Sequence, residues 1–318
     1  MRRLLLVFCI LAMAPFSRSE KNGDGFPGTL FSGFDTASRP TKFFFSPTSL
    51  VLNSLEISLS GGSSFGEEDN SGLLTRFGIG LGGVAEMEFS TTQVVNQLTG
   101  EQTKFPSRIL KVNLLPERFS GSGFVPNIAV QLRTTSWGSV VRRDHALASE
   151  VARDFNKTFT GLNLQGLNLS SRFTTLYLVL GKEGELGGLH VGASLMDVRT
   201  KEGGQWVYDD INYSYDYYRI PEMQKNILKP FGGLLINANP STQILAEVSA
   251  VPSFRYDIKK KTTEIGHAWS AIAGVRFFML RWLSWDGGVR YLSTYDGIAD
   301  AEISMALNAI MPFKHPNR

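Results

Sequence analysis

Apolar and polar residues alternate along most of this chain with a period of two. In the last such segment, Ile303, Met305 and Leu307 are apolar, and the polar residues Glu302 and Ser304 alternate with them. Successive side chains of a β-strand point to opposite faces, so the alternation predicts strands with one apolar and one polar face. The pattern recurs about twelve times. The predicted strands are centred on residues 55–59, 77–81, 85–89, 110–114, 128–132, 176–180, 189–195, 234–238, 244–250, 269–279, 283–291 and 303–313.

The connections between these segments fall into a short class and a long class that alternate along the chain. Short connections include Gly82-Gly83 and residues 239–242, whereas the two longest, 137–171 and 198–228, both fall at the opposite end. Short turns at one end and long loops at the other are typical of bacterial outer-membrane barrels. The sequence therefore predicts an all-β, up-and-down antiparallel transmembrane β-barrel of about twelve strands. A soluble, lipocalin-like barrel with its apolar face turned inward is the alternative.

The first residues predict an export signal. Arg2 and Arg3 precede a short apolar run, and Ser17-Arg18-Ser19 offers small residues for cleavage. We expect a signal peptide at 1–19, a periplasmic arm or plug at 20–54, the barrel at 55–313 and a polar tail at 314–318. Lys42 to Ser46 fits a further strand, the arm or a lumen plug equally well. The predicted location is the bacterial outer membrane.

Composition narrows the function further. The net charge of +3 is too weak to indicate a nucleic-acid partner. Cys9 is the only cysteine and lies in the signal, so the exported chain has no thiol chemistry. Outer-membrane lipid and the barrel-assembly machinery are the partners that a transmembrane barrel requires.

Residues 144–155 have helix-like spacing and predict a short surface helix.

The polar faces carry charged side chains, which the barrel would turn toward its lumen. Acidic and basic residues are equally frequent there, which favours mutual pairing over a preference for anions or cations. These residues form either a charged constriction that selects solutes or an interior packed with paired charges and water. The predicted lumen-lining residues are Glu56, Arg76, Glu86, Glu88, Lys111, Arg133, Glu247, Arg255, Arg276, Asp286, Arg290 and Glu302.

The long connection over residues 198–228 is rich in aromatic residues next to acids. Such a surface loop can stack on sugars or hold a cation, and its rings can equally lodge at the membrane surface. The residues are Trp206, Tyr208, Tyr213, Tyr215, Tyr217 and Tyr218.

No motif indicates a cofactor, a metal or catalysis. Residues 78–83 satisfy the G-x-G-x-x-G spacing, but an alternating segment follows them where a nucleotide site needs a helix. The four histidines are scattered, with no metal-ligand spacing. His190 and Ser194 share an inward face, and no motif of a known lipid hydrolase accompanies them. We therefore expect no cofactor, no metal and no enzymatic activity.

A family resemblance rests on three segments of the sequence: Pro126 to Arg133, Lys229 to Leu234 and Gly297 to Glu302. In these the chain resembles a family of exported bacterial outer-membrane β-barrel proteins, some of them associated with exopolysaccharide operons. The resemblance covers roughly 75–313 and implies a barrel in the outer membrane. It transfers no functional residues.

Together these observations predict a non-enzymatic outer-membrane barrel. We expect a narrow pore, or a role in the passage or export of polar solutes or polysaccharide. The alternative is a structural or surface-exposed binding protein with a filled lumen.

Overall fold

The computed structural model describes residues 40–65, 74–96, 102–115, 125–142, 162–184, 186–209, 214–257, 262–295 and 297–312. The predicted signal peptide, residues 20–39, the predicted helix at 144–155, Phe313 and the 314–318 tail lie outside these ranges. Across the described ranges, no helix combines the length and the apolar character that crossing a bilayer requires, which has no bearing on strands.

The described ranges contain fifteen strands. They are β1 (Glu56–Phe65), β2 (Leu74–Leu81), β3 (Ala85–Asn96), β4 (Gln102–Leu115), β5 (Asn127–Thr135), β6 (Gly138–Arg142), β7 (Leu162–Gly184), β8 (Gly187–Thr200), β9 (Gly203–Asp209), β10 (Ser214–Ile220), β11 (Met223–Asn239), β12 (Thr242–Asp257), β13 (Thr262–Leu280), β14 (Leu283–Leu292) and β15 (Glu302–Pro312).

Twelve of these strands form a closed antiparallel barrel, in which each strand pairs with its neighbours in chain order. They are β1 to β5, β7, β8 and β11 to β15. The ring closes between β1 and β15, from Glu56 opposite Pro312 to Phe65 opposite Ile303. The predicted fold and strand number are confirmed. Short connections gather at one end of the barrel, here called the turn end, and the opposite end is the loop end.

The strands are longer at the loop end than the sequence predicts. β7 has 23 residues, whereas crossing a membrane takes about 9–11. β6 pairs with β7, and β9 and β10 form a hairpin whose β9 strand also pairs with β7. The prediction of a loop over 198–228 is therefore wrong, because backbone hydrogen bonding continues where the apolar alternation has ended.

The outer surface of the barrel is apolar and the inner surface is polar. Leu59, Leu178 and Val248 point outward and keep 42%, 47% and 49% of their surface exposed. Inward-facing Lys111 and Gln131 are fully buried. A soluble protein has the reverse arrangement, so the alternative of an inward apolar face is wrong.

Gly82 and Gly83 make the turn between β2 and β3. Both have φ of +67°, a backbone conformation that suits glycine. Val84 also belongs to the connection, since Leu81 pairs with Ala85 and the Val84 N–H donates to the Leu81 carbonyl. The predicted two-residue turn is therefore one residue too short.

In the loop-end half, two strands leave their neighbours and pair with each other. Pairing of β2 with β3 stops at Phe77 opposite Phe89, and pairing of β11 with β12 stops at Gly232 opposite Val248. Beyond these points β3 and β12 form a short parallel ladder, with Ser253 opposite Val95. The β12–β13 hairpin therefore crosses the mouth of the barrel.

Prolines mark the strands that separate. Pro230 lies in β11 and Pro252 in β12, both beyond the last register pair between these strands. Proline has no N–H to donate to a neighbouring strand and is confined to strand edges in sheets. The sequence therefore disfavours pairing of β11 with β12 in this half of the barrel.

Candidate functional site

Residues 40–54, here called the lumen segment, lie inside the barrel. They form no strand of the wall; within the described residues, the one bridge in this stretch joins Lys42 to Pro47. The Thr48 N–H donates to the Thr41 carbonyl at 3.0 Å and closes a compact loop. Phe43 and Leu52 are 1% and 2% exposed. A run that fitted a strand, an arm or a plug in the sequence thus occupies the lumen.

Glu247 on β12 holds the tip of this loop. Its Oε2 accepts hydrogen bonds from the backbone N–H groups of Phe44, Phe45 and Ser46, at 2.9, 3.1 and 3.3 Å. Glu247 is 2% exposed. A buried carboxylate needs such donors, and hydrogen bonds to a charged group are stronger than those between neutral groups. Glu247 is thereby tied to the lumen segment.

Basic side chains of the wall bind the carbonyls of the same loop. Lys111 donates to the Thr41 carbonyl at 2.9 Å. Arg276 donates to the carbonyls of Lys42 and Phe43 at 3.2 and 3.3 Å. Two further arginines reach the next carbonyls: Arg76 that of Phe44, and Arg133 that of Phe45.

Apolar contacts complement these polar ones. Phe43 and Phe44 pack against three inward-facing residues of β11, β12 and β13: Leu235, Leu245 and Ile272. A Cβ on Gly233 would meet the Phe43 ring at 2.4 Å. The glycine therefore makes space for this ring, a use of glycine that is common where another chain approaches a strand closely.

Several of the inward-facing charged side chains also form ion pairs. Arg276 donates to Asp286 at 2.7 and 2.8 Å through two nitrogens, and both side chains are nearly fully buried. Lys111 lies 3.5 Å from Glu86. Lys42 of the lumen segment contacts Glu88 of β3. The inward charges thus serve the lumen segment and each other.

A serine, a histidine and a glutamate form a hydrogen-bonded chain near the turn end. His190 Nδ1 lies 3.1 Å from the Ser49 backbone nitrogen, which donates to it, and 3.2 Å from Ser49 Oγ. His190 Nε2 lies 3.2 Å from Glu183 Oε1. Ser49 and His190 are fully buried, so no substrate reaches the hydroxyl while the lumen segment is in place. Ser194 bonds elsewhere, to the Lys229 carbonyl.

Sequence reasoning missed Ser49 because it lies in a stretch without periodicity. One signal was present: Gly181 interrupts β7 directly opposite His190. A Cβ at Gly181 would meet His190 Nδ1 at 2.0 Å and Ser49 Oγ at 2.4 Å.

The other predicted residues are distributed as follows. Glu56 sits half-buried at the start of β1, where it accepts from the Asn53 N–H at 2.8 Å. Arg290 and Glu302 approach to 3.6 Å across β14 and β15. Arg255 lies on β12 opposite Glu264, and its side chain is outside the described part of the structure.

The predicted aromatic loop is instead a hairpin. Trp206 and Tyr208 lie on β9, opposite Tyr217 and Tyr215 of β10. Tyr218 also lies on β10, and Tyr213 falls outside the described residues. The backbone places these residues beyond the loop end, paired through β9 to β7.

An apolar cluster closes the loop end of the lumen. Phe254 and Ile265, from the β12–β13 hairpin, pack against inward-facing Phe173 and other residues of the wall. The Phe173 and Phe254 rings lie 6.2 Å apart. Lys225 of β11 donates to the Ile265 carbonyl at 2.7 Å. The lumen is therefore closed twice, by the lumen segment and by this hairpin.

Metal binding finds no support among the described residues, where no group of three or more His, Cys, Asp or Glu is placed to hold an ion.

The solved structures that are similar to this chain include an autotransporter translocator domain, a porin and a hydrocarbon transporter. The translocator domain of the autotransporter NalP from Neisseria meningitidis is 10% identical, with a TM-score of 0.48 over 82% of this chain and 89% of that one. The NanC porin is 11% identical, with a TM-score of 0.41 over 81% and 100%. The toluene transporter TodX of P. putida is 10% identical, with a TM-score of 0.37 over 88% and 94%. Such distant similarity carries no inference about function.

No protein-family model and no curated protein matches the chain. The resemblance to an outer-membrane family with links to exopolysaccharide operons therefore stays a prediction.

Proposed function

We propose that this protein is an outer-membrane channel whose resting lumen is closed by residues 40–54 and by the β12–β13 hairpin. The apolar exterior supports a place in the membrane, because charged or polar groups facing lipid at mid-depth are costly. The polar interior supports a path for polar solutes once the closure is withdrawn.

The observation that carries the proposal is the way the lumen segment is held. Its backbone is bound by charged side chains of the wall, with Glu247 accepting three N–H groups and Arg276 donating to two carbonyls. It is not part of the wall's strand ladder, so its removal leaves every pair of neighbouring barrel strands intact. When the lumen segment leaves, the wall side chains that bound it can form hydrogen bonds to water instead. The net free-energy cost of its release is therefore small compared with that of separating two wall strands.

Conductance in planar bilayers tests the proposal, with three refolded chains that begin at residue 20. The first is unaltered and the second lacks residues 40–54. The third lacks both 40–54 and the tip of the β12–β13 hairpin, with a short turn joining Ser253 to Gly266, which are register partners. We expect little conductance from the first chain. The second keeps the hairpin across the loop end and should also conduct little. The third should conduct at least ten times more than the first.

A matched control lacks residues 20–34, a stretch of the same length that lies outside the described residues. It should conduct like the unaltered chain. Circular dichroism and heat-dependent mobility on a gel verify that each barrel is folded. If the third chain is folded and as silent as the first, the lumen is not a path.

Silence of that chain would favour the second candidate, a structural or surface-binding barrel with a filled lumen. The feature that favours this candidate is the extension of β7, β9 and β10 beyond the loop end. A role in polysaccharide passage is a narrower version of the channel proposal, and swelling of liposomes in oligosaccharide solutions tests it.

A further inference from the structure

We propose that the lumen contains a binding site for a small carboxylate with an aromatic or aliphatic body. The site is a cavity of about 50 Å³ that lies between the lumen segment and the β12–β13 hairpin. It is bounded by Phe45 below and by residues 249–252 of β12 on one side. This cavity is here called the central cavity.

Its charge points to an anion. Among the described residues that line it, Arg133 and Arg290 are the charged ones, and no carboxylate is among them. Arg290 is 1% exposed and lies 3.6 Å from Glu302, which offsets part of its charge from outside the lining. Within the described residues, Arg133 donates to the Phe45 carbonyl at 3.3 Å, and Glu88, which is not part of the lining, offsets part of its charge. A small anion in the cavity therefore gains a cationic partner at Arg133.

Two residues of the lining carry hydrogen-bonding atoms that are unused within the described structure. The Arg133 Nε and the Thr91 Oγ1 are buried and have no hydrogen-bond partner among the described residues. Buried polar atoms of native proteins are nearly always satisfied, by protein, water or a ligand. A guanidinium is suited to carboxylates because its N–H groups match the two oxygens.

The remaining walls suit an apolar body. Phe173 and Met196 line the side toward the loop end, and Tyr177 and Phe45 line the part near the arginines. Arg133 lies 5.5 Å from the centre of the Tyr177 ring, and Arg290 lies 4.7 Å from that of Phe45. Each guanidinium is thus held beside an aromatic face, which fixes its orientation.

A free strand edge completes the site. The stretch of β12 that lines the cavity lies beyond Val248, where β12 no longer pairs with β11. Its backbone groups on that side have no ladder partner on β11 and can therefore serve a ligand, as groups at a sheet edge do. The cavity has room for about three to five waters by volume, so the ligand must be small.

A void filled only with water is the alternative. Water satisfies Arg133 and Thr91 equally well and shows no preference for charge or for an apolar body. The two interpretations therefore differ in what they predict for neutral and cationic analogues of the same shape.

Binding of benzoate to the folded full-length barrel, compared with benzamide and benzylamine, decides between them. The measurements are equilibrium dialysis and saturation-transfer NMR in detergent. We expect saturable benzoate binding, at least tenfold weaker binding of benzamide and none of benzylamine. R133Q should weaken benzoate binding at least tenfold, and R133K should restore part of it. R172Q is the matched control, since Arg172 stacks on Trp137 outside the cavity.

Equal binding of the three compounds, or unchanged benzoate binding by folded R133Q, overturns the proposal. Gel mobility before and after heating shows whether each variant is folded. The site goes beyond the proposed channel, because binding is measured in the closed barrel and needs no conductance. Benzoate binding by a barrel that never conducts, or conductance without binding, separates the two.

Discussion

At the scale of single residues, Gly233 leaves the space that the lumen segment occupies. The Phe43 ring occupies the place where a side chain at Gly233 would begin, at 2.4 Å from an added Cβ. Overpacking of this kind typically costs about 1–3 kcal/mol. We expect G233A to displace the lumen segment while the barrel itself remains folded.

The measurement is the rate at which a thiol reagent modifies T48C in a chain that begins at residue 20, since Thr48 is 1% exposed and that chain has no other cysteine. That rate should rise about fivefold or more in G233A. G232A is the matched control, because a Cβ on Gly232 meets its neighbours only at 3.5 Å. Equal rates in the two variants would show that the ring does not need this space.

At the scale of elements, the β12–β13 hairpin crosses the barrel to reach β3. Ser253 and Val95 are register partners across the mouth, and paired strands lie about 4.8 Å apart. That spacing falls within the range that a disulfide spans. We expect S253C with V95C to form a disulfide under mild oxidation, detected by mass spectrometry of the digested chain.

The matched control is S249C with V95C. Residue 249 lies four residues back along β12, which is roughly 13 Å away along the strand, so no disulfide should form. A hairpin that stayed in the wall beside β11 would leave both pairs unlinked.

The strands were predictable and the lumen segment was not, for one physical reason. A wall strand has an apolar environment on one face and a polar one on the other, so apolar and polar residues alternate along it. The lumen segment has the wall on several sides, with apolar contacts for Phe43 and Phe44 and charged partners for its backbone, so no period results. The trace that does exist is indirect: Gly181 and Gly233 leave gaps in otherwise bulky strands, and inward-facing Leu235 breaks the polar face of β11.

The separation of β12 from β11 was equally hidden. Alternation assigns each residue a face but does not specify which strand lies beside it. Pro230 and Pro252 gave a local indication that these strands are edges, yet the partner of β12 in that region, β3, lies far away in sequence.

At the scale of the whole molecule, the apolar exterior requires a lipid partner. Large exposed side chains surround the barrel, including Leu110, Leu195 and Leu234. An apolar surface this extensive is far larger than the patches that soluble monomers expose. We expect the folded chain to float with liposomes on a density gradient and to aggregate when detergent is removed.

Replacing the outward-facing Leu178 with Arg should lower the free energy of unfolding in liposomes by about 2–4 kcal/mol if the residue lies at mid-depth of the bilayer. V179R is not a useful control because Val179 is buried; E222Q, at an exposed position near the loop end, is a suitable one. A wild-type chain that stays dissolved and folded without any amphiphile would contradict the proposed location.

The exchange of partners at the loop end also means that the bore is not fixed by strand number. Strands β3 to β5, β7, β8 and β11 make one leaf, and β12 to β15, β1 and β2 make the other. At the turn end the leaves are joined by β2–β3 and β11–β12 pairing, whereas at the loop end their backbone links are the short β3–β12 ladder and a bridge between β10 and β13. The diameter at that end can therefore vary more than it could in a barrel whose neighbouring strands are all paired along their full length.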